Sequence, residues 1–248
     1  MERRTVLNGV AALLGGAVLG APAARAEAGA APAEPAAVDL MLVLAADVSH
    51  SITDEKYELQ RKGYAAAMSD PDVLRAIAAG THGRIAVSFV EWAGSQSQKL
   101  VIPWTGIGGP EEARGFGLAV GAAPRSFSDR TAIGSAIDFS AALFAEAPFG
   151  AERRVIDVSG DGDSNGGSDI EGARDAALAH GVTAINGIVI LSDMSGPAYL
   201  VAHTHPPGGL QEYYRRRVTG GLASFVAVAE DFDSFGRALV RKLVQEIS

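Results

Sequence analysis

The chain encodes a doubly wound α/β domain: a mostly parallel central sheet of about six strands, with helices on both faces. Three observations predict it. Apolar runs alternate with amphipathic stretches along one continuous region. The first run, "VDLMLVLAA" (38–46), is almost uninterruptedly apolar, as a strand covered on both faces must be. Polar, glycine-rich clusters follow several of the runs, where the carboxyl ends of parallel strands gather loops.

The elements follow in order. "MERRTVLNGVAALLGGAVLGAPAARAEA" opens with Arg3 and Arg4, continues through an apolar middle and ends on the small-residue signal Ala24-Arg25-Ala26. Residues 1–26 therefore read as a secretory signal peptide, of twin-arginine or ordinary Sec type. An Ala/Pro leader is expected over 27–37, and the domain over 38–248. After the first strand comes a helix over 52–68, with Tyr57, Leu59, Tyr64 and Met68 turned inward. "RIAVSFVEW" (84–92) and "KLVIPW" (99–104) are further strands, then a helix over 111–120 and another over 131–147 carrying Ile133, Ile137 and Phe144. "RRVIDVS" (153–159) is a strand. Ser168 and Glu171 have the spacing of a capping box for a helix that Gly181 ends. "VTAINGIVIL" (182–191) and "LASFVAVA" (222–229) are the last strands, and Asp231 opens a final helix with Phe232, Phe235, Leu239 and Leu243 inward. Between those strands, 192–220 reads as an irregular insertion and the expected source of specificity.

Composition narrows the function. The chain holds 21 Lys and Arg against 29 Asp and Glu, with no cysteine. Loss of the signal removes three arginines and one glutamate, which leaves it more acidic still. An acidic chain is a poor partner for nucleic acid or an anionic membrane surface. No apolar run after the signal is long enough to span a bilayer, so the mature chain is expected to be exported without a membrane span, into the periplasm or outside the cell.

Three polar clusters stand at expected strand ends: "DVSHS" (47–51), Thr131 at the start of the central helix, and "GDGDSN" (160–165). One crevice would gather Asp47, Ser49, Ser51, Thr131 and Asp161. Each cluster also has a plain reading. Ser51 with Asp54 fits a capping box, Thr131 or Asp129 an N-cap, and 161–165 a glycine-rich turn.

In that order, Asp-x-Ser-x-Ser, then Thr, then Asp resembles the metal-ion-dependent adhesion site of von Willebrand factor A-type domains, whose fold is Rossmann-like. The resemblance covers about 38–248. It implies that Ser49 and Ser51 ligate a divalent cation directly, that Thr131 binds directly or through water, and that Asp47 and Asp161 act through bound waters. Two positions depart from the family: His50 stands where Gly is usual, and Gly160 where Ser or Thr often precedes the last Asp. Asp163 competes with Asp161 for the final role. Mg²⁺ suits such a set of hard oxygens, with Mn²⁺ and Ca²⁺ also open, and zinc or copper matches it poorly. The implied function is non-enzymatic: capture of a carboxylate on an envelope or extracellular protein through the cation. In the family, movement of the last helix, here 231–247, accompanies rearrangement at the metal.

Two other functions compete. "GDGDSN" also resembles the last acidic motif of haloacid-dehalogenase-type phosphatases, which need a second acid two residues after the nucleophile; here that position is Ser49, and no lysine lies between Lys99 and Lys242. The other is a scaffold with a vestigial metal site. His203-Thr204-His205 reads as a loop feature for want of a third ligand, "YYRRR" (213–217) as a solvated face, and Trp92 and Trp104 as packing.

Overall fold

The computed structural model describes residues 35–192 and 197–248. The expected signal peptide and the leader up to Glu34 lie outside the described residues, as do 193–196 of the insertion.

Ala36–Ala37, at the end of the expected leader, forms a short strand, β1, rather than coil. β2 (Leu40–Asp47) follows and is buried along its whole length. Its side chains alternate between two cores, as a period of two requires. Leu40, Leu42, Leu44 and Ala46 join Tyr64, Phe89, Phe235 and Leu239 on one face. Val43 and Ala45 join Ile133, Ile137, Ile156 and Val158 on the other. Two covered faces explain the unbroken apolar run.

α1 (Asp54–Met68) starts at Thr53, whose hydroxyl accepts from Lys56 N, so the cap is not Ser51. α2 (Pro71–Ala79) is a helix that the sequence reading lacks; Asp70 caps it and Pro71 opens it. β3 (Ile85–Trp92) pairs in parallel with β2, and β4 (Gln98–Ile107) returns antiparallel against β3. Pro103 lies in β4 at the edge of the sheet, where the register against β3 is shifted and a missing N–H costs least.

α3 (Pro110–Ala122) comes next, then α4 (Ile133–Ala142), which tightens into a 3₁₀ turn over Leu143–Glu146. β5 (Phe149–Gly150) pairs with β1. β6 (Arg154–Gly160) lies parallel to β2 on the side opposite β3. α5 (Ile170–Ala179) is capped by Asp169, not Ser168: its carboxylate accepts from Gly172 N at 2.8 Å. Ser168 N instead donates to Ser135 Oγ. Gly181 follows α5 with φ +97°, the left-handed conformation that ends a helix.

β7 (Ala184–Ile190) pairs in parallel with β6. The described part of the insertion is largely helical: α6 (Ala198–Thr204), α7 (Leu210–Tyr213) and a π turn over Tyr214–Val218. β8 (Gly220–Gly221) touches one end of β7, and β9 (Val226–Ala229) runs parallel to its other end. α8 (Phe235–Ile247) closes the domain; Asp231 makes the turn ahead of it, accepting from Ser234 N. α8 approaches α1 closely at Gly63 and Gly236, where a Cβ on Gly63 would lie 2.6 Å from the Phe235 ring. Burying Phe235 there contributes about 1.5–3 kcal/mol.

The main sheet has the order β4-β3-β2-β6-β7, continued by β9. Helices cover both faces, as expected. Among the described residues no helix is long and apolar enough to cross a membrane. Trp92 is fully buried and donates to Ala45 O, and Trp104 donates to Leu143 O, so both tryptophans act in packing.

Candidate metal centre

β2 is flanked by β3 and β6, and the chain leaves β2 and β6 for opposite faces of the sheet: α1 packs in one core, α5 in the other. The carboxyl ends of β2 and β6 therefore open a crevice at the switch point of the topology. Asp47 ends β2, and Asp161 follows β6 directly.

The loop after β2 is held by its own turn chemistry. Asp47 Oδ1 accepts from Ser49 N at 2.7 Å, an Asx turn. Arg125 donates to the carbonyls of Val48 and Ser49, and Gln60 to that of Asp47. With the backbone pinned, Ser49 Oγ lies 3.2 Å from Ser51 Oγ, and Ser51 Oγ donates to Asp161 Oδ1 at 2.5 Å. Asp47, Ser49, Ser51 and Asp161 thus form one buried, connected group across the crevice.

Thr131 reaches it from the other wall. It is buried ahead of α4, its N–H donates to Asn165 Oδ1, and its carbonyl accepts from Asn165 N and Ser164 Oγ. Those bonds, not a helix cap, set its position. Ser51 and Thr131 line one cavity of about 760 Å³ with Asp163, Asn165, Tyr199 and His203. Of the five residues singled out in the sequence, Ser51 and Thr131 line this cavity, and Ser49, Asp47 and Asp161 are linked to Ser51 by hydrogen bonds. Asp161 and Asp163 part company there: Asp161 meets Ser51, and Asp163 meets His203.

Electrostatics set the site apart. Burial, then the nearby charge of Asp161, pushes the Asp47 carboxyl up to about 7. Its Oδ2 has no hydrogen-bond partner among the described residues. Lys56 supplies one positive charge, 3.2 Å from Asp161 Oδ2, but keeps a quarter of its side chain in solvent. A buried carboxylate oxygen without a donor is costly unless a cation reaches it. Among the described residues no three His, Cys, Asp or Glu side chains gather as a metal cluster, so an ion here must also use hydroxyls. Ser49, Ser51 and Thr131 supply three, and with the two carboxylates they fit a hard divalent cation.

Three participants, Lys56, Tyr214 and His203, escaped the sequence reading, and Asp163 entered it only as a rival to Asp161. Lys56 comes from α1. Tyr214, from the basic "YYRRR" run, is fully buried; a Cβ on Gly160 would lie 2.4 Å from its hydroxyl and 3.1 Å from Asp47 Oδ2. The Tyr214 hydroxyl, from the insertion, thus occupies the space a side chain at position 160 would fill, and glycine makes the room. His203 and Asp163 form a pair over the loop after β6. Burial opposes charge on His203, but the Asp163 hydrogen bond and the charges of Asp163, Asp161 and Asp47 raise its pKa overall. The only sequence signal for it was the histidine pair itself. His50, by contrast, lies at the exposed rim, 3.4 Å from Ser128 Oγ.

Solved structures with this fold include proximal thread matrix protein 1 from the mussel byssus with a zinc-occupied MIDAS motif (TM-score 0.52, 17% identity, 86% of this chain and 49% of that one). An aerotolerance-related membrane protein from Bacteroides fragilis matches with TM-score 0.53 and 16% identity over 83% of this chain and 99% of that one. A von Willebrand factor type A protein from Catenulispora acidiphila matches with TM-score 0.53 and 12% identity over 85% and 43%. The chain spans about half the length of the mussel protein. No curated protein matches it by sequence. Residues 37–248 match the family model described as "Protein of unknown function (DUF1194)". The chain therefore belongs to that family, and its fold is that of a von Willebrand factor A-type domain.

Proposed function

We propose that the chain is an exported, metal-dependent protein-binding module of adhesion type. It captures a carboxylate of an envelope or extracellular protein through a divalent cation. The observation that carries this reading is Asp47 Oδ2, buried and without a donor, in a cluster of three hydroxyls and a second carboxylate at the mouth of a cavity. Ser49, Ser51 and Thr131 would hold the ion, backed by Asp47 and Asp161. Neutral hydroxyls nearest the ion leave it electron-poor, so the bound cation supplies the positive point that an acidic partner seeks. The zinc-bearing motif of the mussel matrix protein, on the same fold, supports the reading. The hydrolase reading is weaker because Ser49 stands where a second acid is needed. Export rests on residues 1–26.

Calorimetry tests it. Mg²⁺ and Mn²⁺ should each give a heat of binding that Asp47→Ala abolishes while circular dichroism stays unchanged. A partner retained from envelope extract with Mg²⁺ should be released by chelator. No heat with any divalent cation would leave the scaffold reading standing instead.

A further inference from the structure

The oxygen donors leave the identity of the ion open, and His203 decides it. We propose that His203 is a nitrogen ligand of the cation, making this a site that takes Zn²⁺ in preference to Mg²⁺. The inference rests on the cation reading above and deepens it.

Three features place the imidazole for this role. His203 lies in the last turn of α6 and is tied twice to the loop after β6: its carbonyl accepts from Asp163 N at 3.0 Å, and its Nδ1 lies 2.7 Å from Asp163 Oδ1. An ionised carboxylate only accepts, so Nδ1 carries the proton, and in the neutral ring the lone pair falls on Nε2. That is the carboxylate–histidine arrangement that orients metal-binding imidazoles.

Nε2 faces one of the cation donors, Thr131. It lies 3.3 Å from Thr131 Oγ1. Two donors that each sit about 2.0–2.1 Å from a tetrahedral zinc are about 3.3 Å apart. The ring also lies directly on Gly162, where a Cβ would fall 2.1 Å from Nε2. Any other residue there would push the imidazole off the loop next to Asp161.

The chemistry then selects the metal. Mg²⁺ seeks oxygen and gives up water reluctantly, whereas zinc readily accepts imidazole nitrogen alongside oxygen. A mixed donor set of Ser, Thr and Asp oxygens with one histidine nitrogen gains far more for zinc than for magnesium.

The test is calorimetric titration of the full chain, without added histidines, with ZnCl₂ and separately with MgCl₂. His203→Ala should weaken zinc about 100-fold and leave magnesium within about twofold. Asp163→Asn, which removes the orienting carboxylate, should weaken zinc about tenfold. The visible absorption of the Co²⁺-loaded protein should change in His203→Ala and stay unchanged in His50→Ala. Unchanged zinc affinity in His203→Ala overturns the inference but leaves the cation reading intact. So does an equal loss for both metals, which marks damage to the fold, or a zinc loss confined to His50→Ala. A wild-type chain that binds neither metal overturns both.

Discussion

Two buried acidic clusters in this domain meet the same electrostatic problem in opposite ways. At the carboxyl end of the sheet, Asp47 and Asp161 are buried behind Ser51, which lines the cavity. Deeper, on the face covered by α8, Asp157 of β6 and Glu246 close on Lys242, all three buried. Burial is the first cause in both, and it pushes Asp47 and Asp157 alike up to about 7. The deeper cluster contains its own cation. Lys242 Nζ lies 2.8 Å from Asp157 Oδ1, pairs with Glu246 and sits over the Phe225 ring, while Asn186 donates to Glu246 at 2.7 Å. The Lys242 contact to Asp157 balances charge without a well-directed hydrogen bond, and both Asp157 oxygens remain short of donors. At the cavity, the lysine paired with Asp161, Lys56, keeps a quarter of its side chain in solvent. The difference separates a cluster that carries its own buried cation from a site whose remaining positive charge must come from outside.

The largest effect that sharpens this contrast is expected at Lys242. Lys242→Ala strands two buried carboxylates and should destabilise the domain by about 3–5 kcal/mol in urea unfolding. A loss below about 1 kcal/mol would mean that Asp157 simply takes up a proton, and the contrast would fade.

Asp47→Asn should behave in the reverse sense. It removes an uncompensated charge, so the metal-free variant should be at least as stable as the wild type. Cation at 100 times its dissociation constant stabilises a binding protein by about 2.7 kcal/mol, and the variant should show none of that gain. An equal gain in both proteins would place the cation elsewhere.

The most gradual effect, spread over several pH units, lies in titration. The Asp157 carboxyl titrates higher in the folded state than its ordinary 3.8, because burial and Glu246 outweigh Lys242. The folded state therefore holds this proton more tightly than the unfolded chain. Its contribution to stability is full below the ordinary value and is lost as pH rises through about 7. One proton gives a slope of at most about 1.4 kcal/mol per pH unit. Urea midpoints of Asp157→Asn between pH 4 and 7 should show a shallower decline than the wild type; parallel profiles would remove Asp157 from the account.

Much of the fold was legible because its signals are local. The apolar run of β2 declares two covered faces, and the turn that follows is written in Asp47 and Ser49. Gly181 marks the end of α5 as expected. Errors arose where neighbouring residues compete for one role. Ser168 has capping-box spacing with Glu171, yet Asp169, one residue later, takes the helix end. The α2 signals, Asp70 and Pro71, were present but attached to a helix of only nine residues. The insertion looked irregular because Pro, Gly and His punctuate it, whereas packing against β7 and α5 makes much of its described part helical.

By itself the sequence determined the alternation of strands and helices, the crevice at the strand ends and the order of its Asp, Ser and Thr residues, because periodicity and turn chemistry act over a few positions. Tertiary structure alone decided which side chains complete the cluster. Tyr214 fills the space that Gly160 leaves, Lys56 leans in from α1, and His203 arrives from an element 40 residues beyond Asp163. Such partners are set by how separate elements pack, and no spacing along the chain records that.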